Sequence, residues 1–232
     1  MRSAPSTLTP ANVIGVAAFA AMLIALYLAI VESPDERVQG IHHRIYYIHV
    51  PTALVAYLSI AITAVASGVY LRTRRPRWDR LAYASAEIGV ILTTLVLVTG
   101  SIWGRPVWGA WWSWSDARLV TTLVMWLSYI AYLMLRSLSG RAPGTARTAA
   151  VIGILGFVNV PVTYFSVYLW TYLHPLPTLQ SATDRPESAI LVPFLAGMLA
   201  FILLYVYLIR MRMRVEEAQQ NLDALRAAAE GQ

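Results

Sequence analysis

The chain has 232 residues, of which 58% are hydrophobic and only 13% are charged, and its formal net charge is +6. A soluble domain carries roughly a quarter charged residues, so this composition excludes an ordinary soluble protein and predicts an integral membrane protein. The absence of cysteine excludes disulfides, thiol redox chemistry and thiolate metal ligands. No G-x-x-x-x-G-K-[ST] segment is present, so the chain carries no Walker-type ATPase motif.

The hydrophobic residues fall into six runs, each long enough to cross a hydrocarbon core of about 30 Å at roughly 1.5 Å per residue. Helices are the spanning structures that such runs form in lipid. The sequence therefore predicts an all-α fold, a polytopic membrane bundle of six transmembrane helices. We expect residues 1–210 to form one transmembrane domain and residues 211–232 a helical tail. The predicted spans cover approximately residues 11–31, 48–71, 83–102, 119–135, 148–170 and 188–209.

The first run raises the question of a signal peptide. Its apolar part of some 20 residues exceeds the 7–15 that are usual for signal peptides, and Arg2 is the one charge before it. We therefore expect this run to remain as a permanent helix.

Positive charge is divided unevenly between the two sides of the predicted bundle. All 18 basic residues are arginines, and thirteen of them fall on the side of the two termini. By the positive-inside rule, both termini and the C-terminal tail are predicted to be cytoplasmic. The net charge is thus a topology signal, and it predicts no nucleic acid partner. The five arginines of the outer side are Arg37, Arg44, Arg105, Arg118 and Arg185.

The segment at residues 103–119, WGRPVWGAWWSWSDARL, separates the third and fourth predicted helices on the outer side. It holds five of the eight tryptophans of the chain, together with two glycines. Residues 103–118 are too polar and too broken by glycine and proline to continue a membrane span, so we expect an irregular outer loop. Its tryptophans are Trp103, Trp108, Trp111, Trp112 and Trp114.

All four histidines also lie on the predicted outer side. His49 lies within one turn of the start of the second helix, with Pro51 expected near the first helical position. His174 follows the fifth span. For a single such histidine, a place in an interfacial aromatic belt is the simpler interpretation. His42 and His43 lie in the polar part of their loop, where we expect them to be solvated.

The fifth predicted span is unusual in its outer half. Pro161 is expected to kink it, and Asn159 is placed to satisfy the backbone groups that the kink frees. Beyond the kink, Tyr164, Tyr168 and Tyr172 recur at helical spacing and form one aromatic face that leads to His174.

Two histidines at the ends of two helices, on either side of a tryptophan-rich loop, suit the two axial positions of a haem. Tryptophan supplies apolar surface for the macrocycle, and Arg44, Arg105 and Arg118 are candidates for the propionates. Gly104 and Gly109 would let the backbone approach a flat ligand. A zinc or copper site is the alternative, and it would need further ligands such as His42 or His43.

Three stretches of the sequence resemble the haem-handling family of cytochrome c maturation that carries a WWD domain. They are YYIHVPTA at 46–53, WGRPVWGAWW with DARL at 103–119, and YFSVYLWTYLHP at 164–175. Their order, the six helices and the length resemble most closely the CcmC haem exporter group, over about residues 40–210. The larger CcmF and CcsA/ResC relatives share the tryptophan signature within longer chains.

The resemblance implies haem-binding roles for particular residues of this chain. His49 and His174 correspond to the family histidines that are the axial ligands of haem iron at the outer membrane face. The residues that correspond to the WWD haem platform are Trp103, Gly104, Trp108, Gly109, Trp111, Trp112, Trp114 and Asp116.

The resemblance also implies partners and a location. The protein would sit in the bacterial inner membrane as a subunit of a CcmABCD complex, in which CcmA and CcmB form the ABC transporter and CcmD is a small helper. It would deliver haem b, bound without a covalent link, from the periplasmic face to the haem chaperone CcmE. On this interpretation the chain is a haem-delivery protein and not an enzyme.

One position departs from the family pattern W-W-x-W-D-A-R-L, because Ser115 stands between Trp114 and Asp116. In a helix this insertion would rotate Asp116 by about 100° relative to the tryptophans. Asp116 is therefore expected either to keep its family role through a bulge or to cap the fourth helix.

Three other functions remain open on the sequence. A bis-histidine haem b oxidoreductase is disfavoured because such proteins place histidines within their helices and near both membrane faces. A permease subunit would use the tryptophan loop only to dock partners. A WWD-type haem lyase would join haem to apocytochrome without CcmE.

Overall fold

The computed structural model describes residues 10–138, 143–170, 174 and 188–230. The first described helix, α1 (Pro10–Tyr27), is followed by a π-helical turn at Leu28–Glu32, and a 3-10 turn at Ile41–Ile45 leads into α2 (Tyr46–Thr73). The helices are α1 (Pro10–Tyr27), α2 (Tyr46–Thr73), α3 (Pro76–Trp108), α4 (Ala117–Leu138), α5 (Pro143–Phe157), α6 (Asn159–Leu169) and α7 (Ser188–Glu230).

Six helical segments are long and apolar enough to cross a membrane. This confirms the predicted all-α class with six spanning helices, and no strand occurs among residues 10–138, 143–170 and 188–230. Large apolar side chains remain exposed along these helices, such as Phe19, Val65 and Leu155, which is expected for surfaces that face lipid. The spans are Ala11–Glu32, Ile41–Thr73, Pro76–Trp108, Ala117–Leu138, Gly144–Leu169 and Ser188–Arg226.

The third helix differs most from its predicted bounds. It begins at Pro76, a residue favoured at the first helical position, and continues to Trp108. Gly109 ends it in the left-handed conformation, at φ 77°, with its N–H bonded to the Arg105 carbonyl at 3.1 Å. The expectation of a loop over residues 103–118 is therefore wrong for residues 103–108, which extend α3, and it holds for the connection at 109–116.

The fifth predicted span is divided into α5 and α6 at Val158, as the kink prediction required. Pro161 has no N–H to offer to the Phe157 carbonyl, which interrupts the helical hydrogen bonds. The Asn159 side-chain amide donates to the Gly156 carbonyl at 3.4 Å, so it satisfies one of the backbone groups at the break.

The bundle is organised around α2, which packs against α3, α5 and α7, while α1 packs mainly on α7. Small polar side chains join these helices at their centre. Ser59 Oγ donates to the Ser85 carbonyl at 2.6 Å and Ser85 Oγ donates to the Ser59 carbonyl at 2.7 Å. The Tyr205 hydroxyl lies 2.7 Å from Ser85 Oγ. These bonds hold α2, α3 and α7 together where lipid offers no alternative partner.

α2 and α7 also meet closely beside the start of α2. Pro51 lies inside α2, one turn later than predicted, because the helix already begins at Tyr46. Pro51 cannot donate to the Tyr47 carbonyl, and α7 approaches that carbonyl at Gly197. A Cβ atom at position 197 would lie 2.5 Å from the Tyr47 oxygen, so only glycine permits this contact.

The two ends of the bundle differ in chemistry. We call the start of α2, the end of α3 and the start of α4 the tryptophan end, and the opposite end, with the α2–α3 connection, the arginine end. At the arginine end, Arg136 makes two bonds to Asp79, at 3.0 and 2.9 Å. Arg212 of α7 bonds Glu87 of α3, and it bonds Glu216 at 3.0 Å. α7 is thus continuous across residue 210, where the tail was predicted to begin.

Candidate functional site

Four separate parts of the chain converge at the tryptophan end: the first turn of α2, the last turns of α3, the start of α4, and His174 beyond α6. The first carries His49 and the second carries Trp103 and Trp108. Asp116 immediately precedes α4, and His174, which follows α6, contacts both Asp116 and Trp108. Residues more than 120 positions apart in sequence therefore form one site.

His49 is held by α3. Its Nδ1 lies 2.8 Å from the Thr99 hydroxyl oxygen, and the ring rests against Gly100. A Cβ atom on Gly100 would come within 3.1 Å of His49 Cε1, so the absence of a side chain at this position makes room for the imidazole. With Nδ1 in a hydrogen bond, Nε2 is the nitrogen of His49 that remains for a ligand.

His174 is held by Asp116. Its Nδ1 donates to Asp116 Oδ2 at 3.0 Å, while the other oxygen, Oδ1, accepts from the backbone N–H of Leu119 at 3.0 Å. Asp116 is only 2% exposed. The expectation that Asp116 caps α4 is therefore confirmed, and the same side chain also orients His174. The family role of Asp116 in the haem platform stays a prediction. Nε2 of His174 likewise remains for a ligand.

Two tryptophans connect the histidines. The ring centroids are 5.6 Å apart between His49 and Trp103, 6.4 Å between Trp103 and Trp108, and 4.8 Å between Trp108 and His174. Trp103 is fixed by a hydrogen bond from its Nε1 to Gln39 Oε1 at 3.0 Å. The two histidines and two tryptophans form a continuous series of aromatic rings, which we call the aromatic row.

The other tryptophans lie apart from these contacts. Trp112 and Trp114 pack edge to face with centroids 5.5 Å apart, whereas Trp111 and Trp114 are 59% and 74% exposed. Trp112 Nε1 is buried without a hydrogen-bond partner among the described residues. The predicted platform is thus divided between the aromatic row and a second, outward-facing group.

The two glycines of the segment serve the local fold. A Cβ atom on Gly104 would lie 3.1 Å from both the Ala110 carbonyl and Trp108 Cε3, so glycine lets the chain fold back over the end of α3. Gly109 supplies the positive φ that terminates this helix. Their expected role in approaching a ligand stays a prediction.

The three candidate arginines are not equivalent. Arg105 donates to the Gly109 carbonyl at 3.0 Å. Arg44 bonds the Ile30 carbonyl and pairs with Asp35 at 3.1 Å, so it joins the end of α1 to the start of α2. Arg118 donates to the Tyr164 carbonyl at 3.1 Å, and its Nε is buried without a partner within the described ranges. Arg118 thus has a donor that these contacts leave unused.

His42 and His43 differ from each other. His42 is exposed as expected, but His43 is 8% exposed, so the expectation that it is solvated is wrong. The 3-10 turn at Ile41–Ile45 directs its ring inward, where it stacks on Tyr46 at 5.1 Å and meets Trp103 edge to face at 6.5 Å.

A zinc or copper site, the alternative to haem, would need several metal-ligating side chains close together. Tetrahedral zinc sites use three or four protein ligands. Among the described residues, no group of three or more His, Asp or Glu side chains is placed to hold a metal ion.

Sequence reasoning missed Thr99, Gly100 and Gln39. Thr99 is one helical turn before Trp103, so both project from one face of α3. That spacing was visible in the sequence, but it points to His49 only once the pairing of α2 with α3 is known.

The fold and the site define a polytopic helical membrane protein with two imidazoles, held through Nδ1, at one end of its bundle. The family model described as Heme exporter protein C, CcmC, matches residues 4–228. The chain therefore belongs to the CcmC family.

Individual relatives of the chain support the same family membership. The chain is 36% identical over 210 residues to Heme exporter protein C of Bradyrhizobium diazoefficiens, which covers 89% of this chain and 80% of the relative. It is 36% identical over 188 residues to Heme exporter protein C of Escherichia coli K12, at 78% and 73% coverage. It is 33% identical over 170 residues to a putative cytochrome c biosynthesis ccmC-like mitochondrial protein of Marchantia polymorpha, at 73% and 72% coverage.

Proposed function

We propose that this protein binds haem b at the tryptophan end and delivers it to the chaperone CcmE during cytochrome c maturation, within a CcmABCD complex. The proposal rests chiefly on the two histidines, whose Nδ1 atoms are both engaged while both Nε2 atoms remain for iron. Membership of the CcmC family supports haem handling in cytochrome c biogenesis.

His49 and His174 act as the axial ligands, and the aromatic row packs against the macrocycle. Arg118 holds a propionate, since its buried Nε has no partner among the described residues. With no cysteine in the chain, the haem is held without a thioether link, as a transient cargo requires.

The arginine distribution supports a haem site on the periplasmic face of the bacterial inner membrane. The protein works as a delivery subunit without catalytic chemistry of its own, and CcmA and CcmB, with CcmD, are its partners in the membrane. One axial histidine is released when haem passes to CcmE.

The first prediction concerns the axial ligands. In the His49→Ala/His174→Ala double variant, purified protein should lose most of the Soret absorbance that the wild-type protein retains, because both iron ligands are missing. His42→Ala is the matched control, since this exposed histidine lies outside the described contacts of the site, and it should keep its haem. Equal haem content in the double variant and the wild type would contradict the ligand assignment.

A further inference from the structure

The two histidines of the site are held by hydrogen-bond partners of different chemistry. His174 Nδ1 faces a carboxylate, Asp116 Oδ2, at 3.0 Å, and this carboxylate is almost fully buried. His49 Nδ1 faces a neutral hydroxyl, that of Thr99, at 2.8 Å. Hydrogen bonds to a charged acceptor are roughly twice as strong as those between neutral groups.

The position of the proton at His49 follows from the bonds of Thr99. A threonine hydroxyl has a single hydrogen to donate, and Thr99 Oγ1 lies 2.6 Å from the Leu95 carbonyl, which can only accept. Thr99 therefore donates to Leu95 and accepts from His49 Nδ1–H. This arrangement leaves the lone pair of His49 on Nε2.

The proton at His174 is fixed in the same way by a stronger acceptor. An ionised carboxylate only accepts, so His174 Nδ1–H donates to Asp116, and the lone pair is again on Nε2. The carboxylate cannot easily turn away, because its other oxygen accepts from the Leu119 N–H at 3.0 Å. Its position is thus tied to the first turn of α4.

We infer that His174 is the axial ligand that the protein retains, and that His49 is the ligand that yields when haem is passed on. Asp116 and Thr99 act as positioning residues that set this order. A carboxylate on Nδ1–H makes Nε2 a stronger donor to iron than a hydroxyl does, because it draws the shared proton towards itself. The inference rests on the proposed haem-binding function, and it adds which of the two histidines leaves the iron when haem is released.

Carbon monoxide tests the order directly, because it binds ferrous haem and replaces the weaker axial ligand without any change in electron count. The full-length protein is loaded with haem, reduced and exposed to carbon monoxide, and the C–O stretching frequency is recorded. Two reference spectra come from His49→Ala and His174→Ala, each loaded in the presence of imidazole, which is removed before carbon monoxide is added so that the gas binds at the vacant axial position. In these variants the remaining histidine is the ligand opposite carbon monoxide.

The wild-type carbon monoxide complex is expected to match His49→Ala, in which His174 is opposite the bound gas. A match to His174→Ala would overturn the inference, since it would make His49 the retained ligand. A mixture of the two spectra in equal parts would overturn it as well, because the two ligands would then be equivalent. If the wild-type protein takes up no haem at all, the proposed function fails instead, so the two failures are distinguishable.

Substitution of Asp116 separates its two roles. Asp116→Asn keeps an oxygen to cap α4, but its amide N–H₂ donates towards His174 and favours the opposite tautomer, with hydrogen on Nε2. We expect haem affinity to fall by about 10–100-fold and the carbon monoxide spectrum to shift towards that of His174→Ala. Asp116→Ser caps the helix without reaching His174, and it serves as a second variant should the asparagine protein fold poorly. Wild-type spectra in both variants would contradict the role of Asp116.

Thr99 gives the complementary test. Thr99→Val removes the acceptor for His49 Nδ1–H at nearly constant volume, and it should speed replacement of His49 by carbon monoxide. Thr99→Ser restores a hydroxyl and should restore the wild-type rate. A structural effect of the substitution would not be reversed by this smaller side chain. Equal rates in the valine and serine variants would show that the hydroxyl has no such role.

Discussion

Asp116 combines two tasks that are usually given to separate residues. One carboxylate oxygen caps α4 at the Leu119 N–H and the other orients His174, both at 3.0 Å. Ser115, the insertion in the family pattern, lies in the turn before this cap and is exposed. The turn absorbs the extra residue, so Asp116 reaches His174 without a helical rotation.

Gly100 is a second residue whose importance depends on its surroundings. Gly100→Ala would add a methyl group 3.1 Å from His49 Cε1 and displace the ring from Thr99. We expect about tenfold weaker haem binding, equivalent to about 1.4 kcal/mol, which is typical of added volume in a packed site. Titration of the purified apoprotein with haem measures the effect.

Gly68→Ala is the matched control, because this helical glycine of α2 has no neighbouring atom within 4 Å of the added methyl. It should bind haem as the wild type does. Wild-type affinity in Gly100→Ala would show that His49 is free to move without loss, contrary to the packing described.

At the scale of elements, the sequence predicted the six spans because an apolar run of sufficient length has few alternatives to a helix in lipid. It misplaced the end of α3, since Trp103–Trp108 reads as a polar interruption although Gly109 is the residue that stops the helix. His49, His174, Trp103 and Trp108 were predicted as site residues from residue type, and the structure brings these four together. Thr99 was not, because its contact with His49 depends on the relative register of α2 and α3.

Because α3 extends to Trp108, the tryptophans of this segment fall into two sets. Trp103 and Trp108 belong to the aromatic row, and Trp112 and Trp114 pack on each other outside it. Trp103→Ala and Trp108→Ala should each weaken haem binding roughly two- to tenfold, as expected for the loss of an aromatic contact worth 0.5–1.5 kcal/mol. Trp114→Ala is the matched control of the same residue type, and as an exposed tryptophan outside the aromatic row it should retain haem. Haem titrations of the three variants measure these affinities. An equal loss of haem affinity in all three would indicate a single tryptophan platform instead.

At the scale of the whole molecule, the two ends of the bundle carry different kinds of side chain, separated by the length of the spanning helices. The aromatic row lies at one end, and the ion pairs of Arg136 and Arg212 lie at the other. Tyr83 is placed between these two guanidinium groups, 5.2 and 5.1 Å from its ring, so one aromatic ring joins α3, α4 and α7. The sequence predicted this polarity from arginine counts, but not which arginines form internal pairs.

The cysteine-free sequence makes the orientation of the molecule testable. Val38→Cys, at a position that is 86% exposed near the tryptophan end, should react with a membrane-impermeant maleimide in intact spheroplasts. Arg77→Cys, at the start of α3 on the arginine end, should react only after the membrane is opened. Both expectations follow from the positive-inside rule. The reverse labelling pattern would place the aromatic row in the cytoplasm.

The continuity of α7 has a structural consequence. At roughly 1.5 Å per residue its 43 residues form a rod of about 65 Å, twice the thickness of a bilayer core. Gly197 of α7 packs against the Tyr47 carbonyl, two residues from His49. Nearer the C-terminal end of α7, the Gln220 side chain accepts a hydrogen bond from Arg80 at 2.8 Å. One continuous helix therefore joins the two ends of the bundle, with a contact to α2 beside His49 and a contact to α3 at the arginine end.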